Sequence, residues 1–132
     1  MKWRYVLFFS MFVIVDQFVK WLVLDKFSDI VVMNYNGVFG ILPAWVSFVA
    51  FVVLMLVMLR SKWFHPALVL VVSGGVSNLI DRVIYTGVID FIAVWNFPVF
   101  NVADMLISVG AAWMIAHESG AIAFLKKRST HE

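Results

Sequence analysis

The stretch AWVSFVAFVVLMLVML, residues 44–59, carries a single polar side chain, Ser47, before Arg60-Ser61-Lys62 stops it. So apolar a run reads as a membrane span, short of the usual ~20 residues but within what a thinner bilayer admits. Working outward, residues 5–24 are apolar except for Ser10, Asp16, Gln17 and Lys20, and form a first span. Pro66 opens a third, at the helix position where a missing amide hydrogen costs least; it runs through Ser73-Gly74-Gly75 to Ile80, where Asp81-Arg82 ends it. Residues 100–116 make a fourth, polar only at Asn101, Asp104 and Ser108. Between the first two spans, residues 25–43 mix charges and turn formers with aromatics, as an outer loop folded back toward the membrane does. Thr86-Gly87 separates two β-branched stretches, 82–85 and 88–92, and predicts a small β-hairpin on the membrane surface. The expected fold is thus an all-α membrane protein of four transmembrane helices with a small outward-facing β-hairpin, one domain over residues 1–132.

Composition agrees. Of 132 residues, 64% are hydrophobic and 14% charged, far more apolar than one soluble core requires, and the length leaves no room for a separate soluble domain. Basic residues do not interleave with aromatics as in a nucleic-acid groove, so no nucleic-acid partner is expected. Without cysteine there is no disulfide, thiolate metal site or cysteine nucleophile. Met1-Lys2-Trp3-Arg4 imitates the start of a secretory signal, but the following run is too long and lacks a small-x-small cleavage site, so it reads as a retained first helix.

Charge sets the orientation. With four spans, Lys2, Arg4, Arg60, Lys62, Lys126, Lys127 and Arg128 fall on one side, which the positive-inside rule makes cytoplasmic, against Lys20, Lys26 and Arg82 toward the other. Every aspartate, Asp16, Asp25, Asp29, Asp81, Asp90 and Asp104, then belongs to the outer half. Both termini are expected inside and the chemistry at the outer face.

Two segments share a pattern there: Asn78-Leu79-Ile80-Asp81 and Asn101-Val102-Ala103-Asp104, each placing Asn and Asp three apart on one helical face. Asp90, in Val88-Ile89-Asp90-Phe91, lies between them. Singly, each has a plain explanation: Asn101 and Asp104 suit a helix start, and Asp81-Arg82 suits an interfacial ion pair. Jointly they argue for function, because ionisable groups at membrane depth are expensive and turn inward. His65, His117 and His131 map to the inner side or tail, which removes a Ser-His-Asp triad and a histidine-bound zinc. What remains is a pair of carboxylates sharing a proton, one activating water and the other polarising a carbonyl and protonating the leaving amine. Asp16 and Lys20, four apart in the first helix, read as an ion pair neutralising itself near the outer interface. A serine–lysine hydrolase of Ser28 and Lys20 is conceivable, but nothing brings those two together. Asn36-Gly37 reads as a turn, and Ser73, Gly74, Gly75 and Ser77 as a helix-packing face.

These residues, in this order, resemble bacterial signal peptidase II, the lipoprotein signal peptidases. The likeness covers nearly the whole chain: Asp16-Gln17 with Lys20, Asn36-Gly37 and Phe39-Gly40, Asn78-Leu79-Ile80-Asp81-Arg82, Val88-Ile89-Asp90-Phe91, and Phe97-Pro98 leading into Phe100-Asn101-Val102-Ala103-Asp104. The resemblance implies an aspartic endopeptidase with Asp90 and Asp104 as its catalytic dyad. It further implies that Asn78, Asp81, Arg82 and Asn101 support the dyad or contact substrate, with Asp16, Lys20, Asn36 and Gly37 at further motif positions. The implied substrate is a prolipoprotein, cut before a cysteine already carrying diacylglycerol. Membrane lipid is the other implied partner, with no metal or cofactor, in a monomer of the bacterial inner membrane. Ser73 and Ser77 stand where many members have glycine, and the chain is short for the family, which implies altered helix packing and a reduced cover over the site. A small proton-coupled transporter would also use membrane aspartates beside an arginine, but such sites lie near the midplane and often within internal repeats. An assembly subunit without activity would leave the aspartates unexplained.

Overall fold

The computed structural model describes residues 2–37, 43–60, 66–118 and 120. In chain order these form α1 (Lys2–Lys26), a 3-10 turn (Ser28–Ile30), β1 (Val32–Asn34), α2 (Ala44–Arg60), α3 (Pro66–Tyr85), β2 (Val88–Asp90) and α4 (Val102–Glu118). Two helical stretches, Trp3–Lys26 and Pro66–Tyr85, are long and apolar enough to cross a membrane, and Val102–His117 is a shorter apolar one. The described residues are mostly helical, with one two-stranded antiparallel sheet among them. The motif Phe39-Gly40, the stop at Ser61-Lys62, and His65, His131 and Lys126-Lys127-Arg128 lie outside the described residues.

The pattern of burial is inverted relative to a water-soluble protein. Trp3, Leu7, Ile14, Phe18 and Trp21 of α1 are exposed, whereas Asp16, Lys20, Ser77, Asn78, Asp81, Asp90 and Asn101 are buried. A lipid solvent dictates this arrangement, since apolar side chains lose nothing by facing it and unpaired polar ones do. α3 is the central element and packs along both α1 and α4. Its inward face is built of small residues, among them Ala67, Ser73, Gly74 and Ser77. Two glycines let α3 and α4 touch closely: a Cβ on Gly74 would run into the Ala103 carbonyl oxygen and Ile107. A Cβ on Gly110 would sit 2.7 Å from the carbonyl oxygen of Ala67. Small residues at such a crossing replace a hydrophobic driving force with close backbone packing.

The expected boundaries need two corrections. The third helix does not stop at Ile80 but continues to Tyr85, because Asp81 is buried and paired rather than left charged in solvent. The helix ends where Thr86 turns to φ 61°, its N–H closing the last helical bond to Arg82 O at 3.1 Å. Consequently no hairpin forms across Thr86-Gly87. The strand after the turn, β2, pairs instead with β1 from the loop after α1, in the register Val32↔Asp90, Met33↔Ile89 and Asn34↔Val88. The β-branched residues Val83 and Ile84, which suggested a strand, are exposed helical positions. At the far end, α4 starts at Val102 rather than Phe100, because Phe100 forms a bridge with Ile92.

Candidate active site

The start of α4 is a reciprocal cap. Asn101 precedes the helix and its Oδ1 accepts the Asp104 N–H at 2.9 Å, while Asp104 Oδ2 accepts the Asn101 N–H at 3.3 Å. This is the capping-box arrangement with an aspartate as the third helical residue, which explains the Asn-x-x-Asp spacing locally. The cap leaves the Asn101 amide nitrogen pointing at β2, where it donates to Asp90 Oδ1 at 2.7 Å and to Ile89 O at 3.3 Å. Asp90 Oδ2 is held from β1 by Asn34 Nδ2 at 3.0 Å, a reach that the antiparallel pairing makes possible. Asp104 Oδ1 receives Asn78 Nδ2 from α3 at 2.9 Å. Two carboxylates from different elements thus converge on Asn101, with Asn34 on the far side of Asp90 and Asn78 on that of Asp104. Burial pushes the Asp90 carboxyl up to about 6, and the nearby charge of Asp104 adds to the rise; hydrogen bonds from Asn34 and Asn101 oppose it.

Beneath the pair lies a buried ionic layer. Lys20 Nζ meets Asp16 Oδ2 at 2.8 Å, Asp81 Oδ2 at 2.7 Å and Asn78 Oδ1 at 3.0 Å, an acceptor for each of its three protons. Asp16 Oδ2 also accepts Ser77 Oγ at 2.6 Å, and its Oδ1 accepts the Ala103 N–H at 2.7 Å, a free donor in the first turn of α4. Asp81 Oδ2 takes the Ile89 N–H at 3.2 Å, so the residue next to Asp90 is gripped from α3. Asn78 connects the layers, with Lys20 and Asn101 on its oxygen and Asp104 on its nitrogen. Arg82 turns away from this layer: its Nη2 donates to Asn36 O at 3.1 Å, and its Nε is buried without a partner among the described residues.

A cavity of about 300 Å³ opens between α2, α3 and α4. Asn78, Arg82 and Asp104 form its polar end, and Phe48, Phe51 and Ile107 belong to its apolar remainder.

The family model described as signal peptidase (SPase) II matches residues 8–119 of this sequence. The chain belongs to the signal peptidase II family. A lipoprotein signal peptidase from Paraburkholderia phymatum is 42% identical over 62 residues, 44% of this chain and 37% of the relative. Another from Photorhabdus laumondii is 40% identical over 80 residues, 54% of this chain and 48% of the relative. The chain therefore spans less than half the length of either relative in these matches. A bacterial membrane enzyme structure obtained by the in meso method superposes with a TM-score of 0.68 over 98% of this chain and 92% of its own. At 23% identity, that likeness is one of fold.

Within this signal peptidase II chain, the structure gathers Asp16, Lys20, Asn78, Asp81, Asp90, Asn101 and Asp104 into one hydrogen-bonded cluster. Asn36 and Gly37 sit at its edge: Asn36 through its carbonyl to Arg82, Gly37 on the cavity wall. The Asp16–Lys20 pair forms as its spacing predicts, but it is buried and shared with Asp81 instead of neutralising itself at an interface. Asp81 pairs with Lys20, not in the interfacial ion pair with Arg82 that their adjacency suggested. Three members escaped the sequence reading. Asn34 appeared as one more polar loop residue, and Ser77 as packing. Gln17 reads in sequence as no more than a neighbour of Asp16, yet its Nε2 reaches Ser77 O and Oγ at 3.0 Å and Asp81 Oδ1 at 2.7 Å. A signal existed for Gln17, since an amide at membrane depth next to Asp16 needs a partner as much as a charge does.

Proposed function

We propose that this chain is a membrane aspartic endopeptidase that removes signal peptides from diacylglyceryl-modified prolipoproteins, cutting before the lipidated cysteine. The observation that carries the proposal is the convergence of Asp90 and Asp104 on Asn101. Two carboxylates so placed share one proton. The ionised one draws a proton from water as it attacks the scissile carbonyl; the protonated one polarises that carbonyl and then passes its proton to the leaving amine. Asn34, Asn78 and Asn101 hold the carboxylates by donating to them, which keeps their lone pairs aimed while the shared proton moves.

The cavity fits such a substrate, with apolar walls for lipid or signal-peptide side chains and a polar end at Asp104. Arg82 lines this cavity beside Asp104, and its guanidinium is a donor suited to a substrate carbonyl. In this reading α1 to α4 all cross the inner membrane, both termini are cytoplasmic, and the site opens at the outer face, as the distribution of basic residues requires. Purified chain in detergent should cleave a peptide bearing diacylglyceryl-cysteine and leave the unmodified peptide largely uncut. Equal rates on both would remove lipid recognition, and no cleavage of either would remove the peptidase reading.

A further inference from the structure

Between Asp90 and Asn101 the chain reads FIAVWNFPVF, residues 91–100, without a charged side chain. The segment is tied at its base, where Ile92 N–H donates to Phe100 O at 2.8 Å and Phe100 N–H to Ile92 O at 3.1 Å. A second closure lies inside the first, Phe97 N–H to Val94 O at 2.8 Å, and the Phe97 and Phe100 rings meet edge-on with centroids 5.7 Å apart. At the tip of this doubly closed loop stands Trp95, 95% exposed, with Val94 and Phe97 more than half exposed beside it. The Trp95 backbone sits at φ 35°, in the left-handed region that L side chains disfavour. The largest side chain type in the protein is therefore held outward by a closed loop on a costly backbone. Such a combination points to a surrounding other than water.

We propose that Trp95 is a membrane-interface anchor. Its indole lies at the boundary of headgroups and acyl chains, on the side of the membrane where the dyad lies, and it fixes the depth at which Asp90 and Asp104 meet a substrate bond. Indole suits that boundary because it joins an apolar body to one N–H donor. Lipid is the occupant because the uncharged segment 91–100 leads through Asn101 into the apolar helix α4, whose Met105 and Val109 stand exposed as Val94 and Phe97 do. The mechanical link is short. The loop leaves from Asp90 and returns at Asn101, whose side chain holds Asp90 and whose backbone holds Asp104. The anchor itself requires only a membrane protein; its effect on turnover rests on the proposed peptidase activity.

Because these 132 residues include no cysteine, Trp95→Cys creates a single labelling site for a nitroxide in the chain. In lipid nanodiscs, the label's relaxation should be governed by oxygen rather than by a water-soluble nickel chelate, placing it at the headgroup–acyl boundary. A label relaxed mainly by the nickel chelate overturns the anchor. As a second arm, Trp95→Ala should cleave lipidated peptide near the unaltered rate in detergent. In bilayers it should be at least ~10-fold slower, the order a small misplacement of reacting groups costs, and Trp95→Tyr should recover most of the rate. Loss in both media would make Trp95 a substrate contact, and loss in neither would remove its role in depth; each overturns the proposal. If the unaltered protein cleaves nothing, the peptidase reading fails while the label's depth still decides the anchor.

Discussion

Asn101 Nδ2 donates to Asp90 Oδ1 at 2.7 Å, from a residue whose own oxygen and backbone N–H are already engaged by Asp104. One side chain therefore caps α4 and ties the Asp90 carboxylate to the first turn of the helix that carries Asp104. Asn101→Ser should separate these roles, since serine caps a helix nearly as well but cannot span to Asp90. Melting temperature should stay close to that of the unaltered protein while turnover falls, by up to about 100-fold for reacting groups displaced by an ångström. Asn101→Ala should lose turnover similarly and also lose about 1 kcal/mol of stability with the cap.

Asp90→Asn and Asp104→Asn preserve size and remove proton exchange. Each should stay folded and lose about 100- to 10,000-fold in initial rate on lipidated peptide, the range for a general acid or base. Because the pair acts as a unit, the double variant should be little worse than either single one. A near-native rate in either single variant, with its melting temperature intact, would break the dyad assignment.

Asp90 also predicts a pH dependence of stability. Its carboxyl is raised from 3.8 to about 6 by burial first. The folded state thus binds the proton more tightly than the unfolded state, so the stabilisation is full below the unfolded value and is lost as pH rises through about 6. Asp90→Asn mimics the protonated form and should remove this dependence. The variant should gain melting temperature relative to the unaltered protein above pH 6 and lose that advantage near pH 4. Thermal unfolding of both proteins across this interval is the measurement.

Lys20 is the single cation between buried Asp16 and Asp81 among the described residues, at 2.8 and 2.7 Å. Lys20→Met strands two carboxylates in the helix core and should cost about 3–5 kcal/mol, the range for breaking a buried pair from one side. Asp81→Asn keeps an acceptor for Gln17 but weakens the hold on Lys20 and on the Ile89 amide, so it should give a partial loss of rate with a smaller fall in melting temperature. If Lys20→Met melted like the unaltered protein, the layer would have no structural role.

Gly74→Ala tests the packing that positions α4. The added methyl meets the Ala103 carbonyl and Ile107, next to Asp104, and overpacking of this sort costs about 1–3 kcal/mol. Both melting temperature and turnover should fall, because a shift of α4 that relieves the contact at Ala103 also carries Asp104 away from Asn78.

The reporter test of orientation is independent of the site. A reporter fused after Arg128 should behave as cytoplasmic and one inserted at Thr86 as external; the reverse would remove the proposed topology.

The amino-acid sequence alone determined the solvent and the chemistry available. Apolar runs such as residues 44–59 predict a lipid solvent, and the absence of cysteine, with the histidines expected on the side opposite the aspartates, points to carboxylates as the reactive groups. Asn101 and Asp104 were legible because a helix cap is a local device, complete within four consecutive residues. The tertiary structure decided everything that depends on partners far along the chain. Gln17 and Ser77 meet across 60 residues, Asn34 and Asp90 across 56, and Lys20 and Asn78 across 58. Periodicity reports which face of a helix is polar, but not which other helix will face it. For the same reason β2 looked like half of a hairpin with 82–85. Burial of Asp81 against Lys20 kept those residues helical, and only the returning chain at Val32–Asn34 offered β2 an edge to pair with.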